Sequence, residues 1–255
     1  MIILTSLVTL AVPMARIHSP RSHLSVLQTS ASRFASLPAF HVPRTLSESG
    51  DVESWEPISY SQFLLDVELF ARHWAHVLKL DGIPQRSVIG MWSVNLYNSF
   101  HNLTSDDPHY CRLSGMTYVD VLHIYGLTRA GYIPQLFSIR LPNPDVVYEL
   151  LSQAHACALI VDPSFEGLLK GCPTPTHRAA TTVYDIDAHD MPLPSLPTLR
   201  ESDTVFIFHT SGSTSGIPKL VPCSRSWLDS AITKSHQISK PTGRTERNQD
   251  VTVWM

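Results

Sequence analysis

Between Phe208 and Lys219 the chain runs FHTSGSTSGIPK, with threonine and serine hydroxyls and two glycines crowded into the seven residues from Thr210 to Gly216. Glycine lets backbone N–H groups turn toward one point with no Cβ in the way. Such convergent N–H groups make an anion-binding concavity, and rotatable hydroxyls add donors to it. Lys219 supplies a mobile positive charge at the exit. A charge-assisted hydrogen bond contributes about 1.5–3 kcal/mol, so a few together can hold a polyphosphate. A flexible linker would account for the glycines and serines. It would not account for Ile217-Pro218-Lys219, or for the apolar run Val205 to Phe208 placed directly upstream. The GxxxxGK[ST] spacing of a Walker loop is absent, and a proline precedes the lysine. The following LVPCSRSW starts extended, which predicts strand–loop–strand.

A loop of this kind needs a rigid platform, and the chain upstream supplies alternating elements. SYSQFLLDVELFARHWAHVLKL, Ser59 to Leu80, carries Tyr60, Phe63, Leu64, Val67, Phe70, Ala71 and Trp74 at helical three-and-four spacing. Ser59 and Gln62 offer a capping box, and Gly82 a stop signal. Val88 to Trp92 predicts a short buried strand. A second helix is expected from Thr117, opening on a TYVD box, to near Gly131, followed by a strand over Tyr132 to Ser138. A third opens on Asn143 with Pro144 in its first turn and runs to about Ala156. Strands are expected at CALIVD (Cys157 to Asp162), TTVYDI (Thr181 to Ile186) and VFIFH (Val205 to His209), with a short helix through Leu168 and Leu169 and a last helix over Ser226 to His236. The alternation predicts an α/β fold with a mostly parallel sheet flanked by helices.

The chain has 255 residues, 43% of them hydrophobic and 16% charged, enough apolar mass for a core and too little charge for a disordered protein. A net charge of -3 provides no global field for nucleic acid or an acidic membrane, so neither is an expected partner. Four cysteines, Cys111, Cys157, Cys172 and Cys223, lie scattered without a CxxC pair, which predicts a reducing, cytoplasmic setting. The apolar run Ile2 to Val12 is too short for a spanning helix. Its basic residues, Arg16 and Arg21, follow the run, the reverse of a secretory signal. An irregular extension over residues 1–21 is expected, with an organelle-targeting segment as the alternative.

Two stretches break the rhythm. Met191 to Arg200 is a proline-rich connector. Ser93 to Ser114 is a long aperiodic segment between a strand and a helix that α/β units join in a few residues. Within it His101, His109 and Cys111 have no diagnostic ligand spacing, and no metal site is expected. The thirteen histidines include no HExxH, and no GxSxG is present. His209, directly before the loop, is either a cleft residue or a strand residue packed in the sheet.

DTVFIFHTSGSTSGIPK, Asp203 to Lys219, closely resembles the phosphate-loop signature of the adenylate-forming (ANL, AMP-dependent synthetase/ligase) superfamily, which includes acyl-CoA synthetases and the adenylation domains of nonribosomal peptide synthetases. Ser215 departs from the commonest form. ISYSQFLLDVELFARHW is similar to the helix that opens the family's large domain, and GMTYVDVLHIYGLTRAGYIPQLFSIRLP to its next helix and strand. The resemblance covers residues 22–255 as a partial adenylation domain, is nearest to fungal nonribosomal-peptide-synthetase-like enzymes, and leaves 93–114 as an unmatched insertion, for which retained intron sequence or a mis-predicted exon is the expected origin.

The resemblance implies that a carboxylic acid attacks the α-phosphate of ATP, with Mg2+ assisting, to give an acyl-adenylate and pyrophosphate. CoA or a phosphopantetheinyl carrier protein then takes the acyl group. By the same resemblance Thr210, Ser211, Gly212, Ser213, Thr214, Ser215, Gly216 and Lys219 contact the ATP phosphates, the lysine as an electrostatic clamp. The family's adenine, ribose and catalytic-lysine elements lie further along than DVTVWM, Asp250 to Met255. A fragment that is inactive as an isolated chain is therefore expected, and a truncated, non-catalytic relative with weak nucleotide binding is the alternative. Tyr125-Gly126-Leu127-Thr128-Arg129 superficially matches the adenine motif, but has arginine where the glutamate belongs and falls inside an expected helix. A hydrolase or kinase of another fold is disfavoured, since Walker-type enzymes place a helix directly after the glycines.

Overall fold

The structure is a computed structural model that describes residues 2–5, 21–46, 52–92, 117–138, 141, 143–210, 218–238 and 251–254. The chain divides into two compact units, one of Met1–Asp66, Asn95–Val121 and Asp229–Met255, the other of Val67–Val94 and Leu122–Leu228.

The first unit contains β1 (Ile2–Thr5), α1 (His23–Arg33), β2 (Pro38–Leu46), β3 (Val52–Ser59) and the first turns of α2 (Tyr60–Leu80). Ile2–Thr5 belong to the stretch expected to be irregular. Their consecutive apolar, partly β-branched residues instead pair antiparallel with β2 and with a late strand at Val251–Trp254. α1 begins on a capping box in which Ser22 and Ser25 exchange side-chain and backbone bonds, and it buries Leu24 and Leu27. Phe40, Phe63 and Tyr118 form an edge-on aromatic cluster, with the Phe40 and Phe63 rings 4.8 Å apart. Arg21 binds Asp229 through its backbone N–H and its guanidinium.

The second unit is built on β4 (Val88–Trp92), α3 (Tyr118–Arg129, from Leu122 onward), β5 (Ile133–Leu136), α4 (Pro144–Gln153), β6 (Ala158–Val161), β7 (Thr176–Arg178), β8 (Thr204–His209), β9 (Leu220–Ser224) and the opening of α5 (Arg225–Ile238). The late strand of the first unit is β10 (Val251–Trp254). The six-stranded sheet has the order β7-β6-β4-β5-β8-β9, parallel except for the antiparallel β8–β9 pair. This is the expected α/β sheet. Along β4 and β6 the side chains alternate between two cores. Ile89, Ala158 and Ile160 pack with Trp74, Leu78, Leu127 and Ala130 under α2 and α3. Trp92, Leu159 and Val161 pack with Val147, Leu150 and Leu151 under α4. α2 and α3 thus cover one face of the sheet and α4 the other.

The helix stops follow from two glycines. After α2, Gly82 takes φ +73° while the Ile83 N–H bonds the Leu78 carbonyl at 2.9 Å. After α3, Gly131 takes φ +92° while the Tyr132 N–H bonds the Leu127 carbonyl at 3.0 Å. Both are Schellman closures with an apolar partner from the same core. Thr117 caps α3 through a reciprocal pair with Asp120, as the TYVD spacing predicts. α4 opens on Asn143, whose side-chain Oδ1 accepts from the Asp145 N–H, and stops before Ala156 because His155 adopts φ +51°.

One expected strand is absent. Thr181 to Ile186 forms a short 3-10 turn at Val183–Asp185. The Asp185 carboxylate accepts from the backbone N–H groups of Thr181 and Thr182 at 2.7 and 2.8 Å, taking donors a sheet ladder would need. The sheet edge is instead β7, a few residues earlier. Tyr125 to Arg129 lies within α3, where Gly126 meets α2 at Phe70.

Candidate functional site

β8 continues the parallel sheet beside β5, with Ile207 opposite Gln135, and β9 returns antiparallel with Leu220 opposite His209. The polar stretch is therefore the connection of a hairpin, strand–loop–strand as the sequence predicts, at the carboxyl end of β8. Its two ends are bonded together. The Thr210 N–H donates to the Lys219 carbonyl at 2.9 Å, and the Lys219 N–H donates to Thr210 Oγ1 at 3.0 Å. Pro218 is buried beside this closure, which fixes φ at the loop exit. Ser211, Gly212, Ser213, Thr214, Ser215 and Gly216 lie outside the described residues, as does the whole of 93–114.

Thr210 and Lys219 are both exposed. Among the described residues the Lys219 ammonium has no carboxylate within ion-pair distance. The acid of this hairpin is at its other end. Asp203, before β8, accepts from the Arg200 N–H at 2.9 Å, and that backbone donor holds its carboxyl below the usual carboxylate range. Arg86 bonds the Thr204 carbonyl at the same end. The hairpin thus presents at its loop end a hydroxyl and a cation that has no carboxylate partner among the described residues, a setting for an anion.

Both ring nitrogens of His209 are engaged. Its Nε2 accepts from the Ser138 N–H at 2.9 Å, and its Nδ1 faces the Thr210 carbonyl at 3.0 Å. Its ring lies 6.2 Å from that of Phe137, nearly parallel to it. Ser138 is the residue the sequence did not single out. It sits 71 positions from His209, and nothing local marks such a pairing.

No metal-ligating group of three His, Cys, Asp or Glu side chains occurs among the described residues. No described helix is long and apolar enough to cross a membrane.

The fold is similar to that of solved nonribosomal peptide synthetase and coenzyme A synthetase structures, of each of which it corresponds to a part. A nonribosomal peptide synthetase, FmoA3, in its AMPPNP-bound form superposes with a TM-score of 0.55 at 14% identity, over 89% of this chain and 20% of that one. O-succinylbenzoate coenzyme A synthetase (MenE) from Bacillus subtilis, in complex with AMP, superposes with a TM-score of 0.58 at 13% identity, over 87% of this chain and 47% of that one. In sequence the chain is similar to the AMP-binding domain-containing enzyme iboA of Amanita muscaria (strain Koide BX008), at 30% identity over 214 residues. That match covers 81% of this chain and 37% of the relative, so the chain spans a little over a third of the relative's length. No family model matches the chain.

Proposed function

We propose that these residues form the phosphate-gripping part of an enzyme that activates a carboxylic acid with ATP as an acyl-adenylate, for transfer to CoA or a carrier-protein thiol. The observation that carries this reading is the closed hairpin. A polar, glycine-containing sequence follows the carboxyl end of a parallel strand and is clasped at its base by Thr210 and Lys219, the lysine ammonium having no carboxylate partner among the described residues. The relation to a fungal AMP-binding enzyme supports it. Thr210, Ser211, Gly212, Ser213, Thr214, Ser215, Gly216 and Lys219 contact the phosphates of ATP, and Mg2+ arrives with the nucleotide. Binding the leaving pyrophosphate lowers the barrier by stabilising charge that develops there. The complete reaction belongs to an enzyme of the relatives' length, and the 255-residue chain by itself is expected not to catalyse ATP–pyrophosphate exchange.

Calorimetric titration of the chain with inorganic tripolyphosphate tests the grip. Binding is expected, and it is lost when residues 211–216 are replaced by an equally long alternating glycine–alanine segment. If the wild-type chain binds no tripolyphosphate, or the replaced chain binds it equally well, the stretch is a linker and the reading fails.

A further inference from the structure

The ring of His209 is held between two backbone groups that belong to different strands' ends, and their chemistry settles its protonation. A backbone N–H only donates, so the bond from Ser138 at 2.9 Å requires a bare Nε2. A carbonyl oxygen only accepts, so the contact with Thr210 at 3.0 Å requires hydrogen on Nδ1. The ring is therefore a neutral imidazole in the Nδ1–H form, with both nitrogens committed. It is not a free base for the reaction, and its half-buried position leaves no third polar valence to offer a substrate.

What the ring does is join β5 to the loop. The Thr210 carbonyl it holds belongs to the same residue whose N–H and hydroxyl close on Lys219 at 2.9 and 3.0 Å. Three of the polar groups of Thr210 are thus fixed, one by His209 and two by Lys219. Stacking on Phe137 sets the ring plane. Between β8 and β5 the ladder itself has the single register pair Gln135–Ile207, and the His209 bridge adds a tie to β5 at the loop end of β8.

We propose that His209 is a positioning residue for the phosphate grip: as the neutral Nδ1–H tautomer it fixes the base of the loop, Thr210 and through it Lys219, to the carboxyl end of β5. This rests on the phosphate-binding reading of the loop given above. A histidine that merely packs in the sheet would be served by any flat ring. A histidine that bridges needs an acceptor at the Nε2 position and a donor at the Nδ1 position. Glutamine places an amide oxygen near the former, asparagine an amide N–H near the latter, and phenylalanine keeps only the ring contact with Phe137.

The test uses the 255-residue chain and inorganic tripolyphosphate. His209→Phe is expected to fold, as judged by circular dichroism, and to bind tripolyphosphate about tenfold more weakly, since two net hydrogen bonds are lost. His209→Gln and His209→Asn are expected to fall between, each restoring one bond. Ring nitrogen chemical shifts in the 15N-histidine-labelled wild-type chain, assigned by comparison with His209→Gln, are expected to show a protonated Nδ1 and a bare Nε2 at neutral pH. Absence of binding by the wild-type chain would overturn the phosphate reading and this proposal together. Wild-type binding with an unchanged His209→Phe affinity overturns this proposal alone, as does an Nε2–H ring or an imidazolium. Should the phenylalanine variant not fold, the amide variants and the tautomer decide.

Discussion

The indole N–H of Trp74 donates to Nδ1 of His123 at 3.0 Å, inside a core where neither side chain touches solvent. The second nitrogen, Nε2, lies 3.0 Å from the Ala180 carbonyl and must donate to it, so His123 is a neutral imidazole with both positions filled. Phe70 meets the ring edge-on at 4.9 Å. A proton on Nδ1 would face the indole hydrogen in a dry site. Burial accordingly lowers the His123 pKa to about 4, and burial, with smaller repulsion from His123, His177 and His76, lowers that of His73 to about 4 as well.

These shifts set an acid limit on stability. Below pH 6.5 the unfolded chain binds a proton at His123 that the native chain refuses until about pH 4. Stability therefore falls as pH drops through that window, by on the order of 3 kcal/mol for His123. Urea midpoints at pH 7 and pH 4.5 check this. His123→Gln, which cannot titrate, is expected to be less stable at pH 7 but to lose less on acidification. An equal loss in both proteins would place the acid sensitivity elsewhere.

The contact of α2 and α3 within the second unit gives a steric prediction. A Cβ on Gly126 would lie 2.6 Å from Phe70 Cβ and 3.1 Å from the Phe70 carbonyl carbon. Neither atom is the end of a flexible chain, so the helices must separate. Gly126→Ala is expected to cost about 1–3 kcal/mol despite alanine's better helix propensity. Denaturant unfolding measures it, and a neutral or stabilising result would show that the helices do not approach so closely.

Asp66 is a buried acid in the first unit, with Tyr118 Oη donating to it at 2.7 Å and Gln62 Nε2 also at 2.7 Å. Burial raises its pKa, and the two donors pull against that. Tyr118→Phe removes one donor and leaves the carboxylate less well satisfied, at a cost of about 1–3 kcal/mol at pH 7. The raised acid holds its proton in the native state above the pH at which the unfolded chain loses it. Its ionised form is thus the one that burdens the fold, and the gap between wild type and variant should narrow from pH 7 to pH 5. A gap that widens on acidification would contradict this account.

The elements that came through in the sequence are those whose signals are local. β4 carries a short apolar run, α3 a Thr117–Asp120 box, α4 an Asn143–Pro144 start, and β8 the apolar run Val205 to Phe208. α1 has a capping box made of two serines, Ser22 and Ser25, which lacks the usual acid and was not picked out. β2 and β3 contain prolines at 38, 43 and 57 and register shifts along their ladder, so their alternation is broken. Thr181 to Ile186 has β-forming residues, but Asp185 captures the backbone donors first. At the hairpin, the hydroxyls and the lysine of 210–219 stand out through composition. The Ser138–His209 bond does not, because it is a product of strand order, with β8 placed beside β5.

At the loop itself, charge and clasp can be separated. Lys219 is exposed, and its N–H and carbonyl are held by Thr210 whatever its side chain is. Lys219→Met keeps the clasp and removes the charge, and is expected to weaken tripolyphosphate binding about tenfold or more at low salt. Thr210→Val keeps the shape and removes the oxygen that accepts from the Lys219 N–H, and is expected to weaken binding a few-fold, with Thr210→Ser restoring it. Salt distinguishes the two losses. An exposed ammonium is screened over about 10 Å at 0.1 M ionic strength, so the advantage of wild type over Lys219→Met should shrink as salt is added. The deficit of Thr210→Val comes from geometry and should stay nearly constant. Titrations at two salt concentrations read both effects, and a Lys219→Met deficit that ignores salt would mean that the lysine acts through the backbone it occupies and not through its charge.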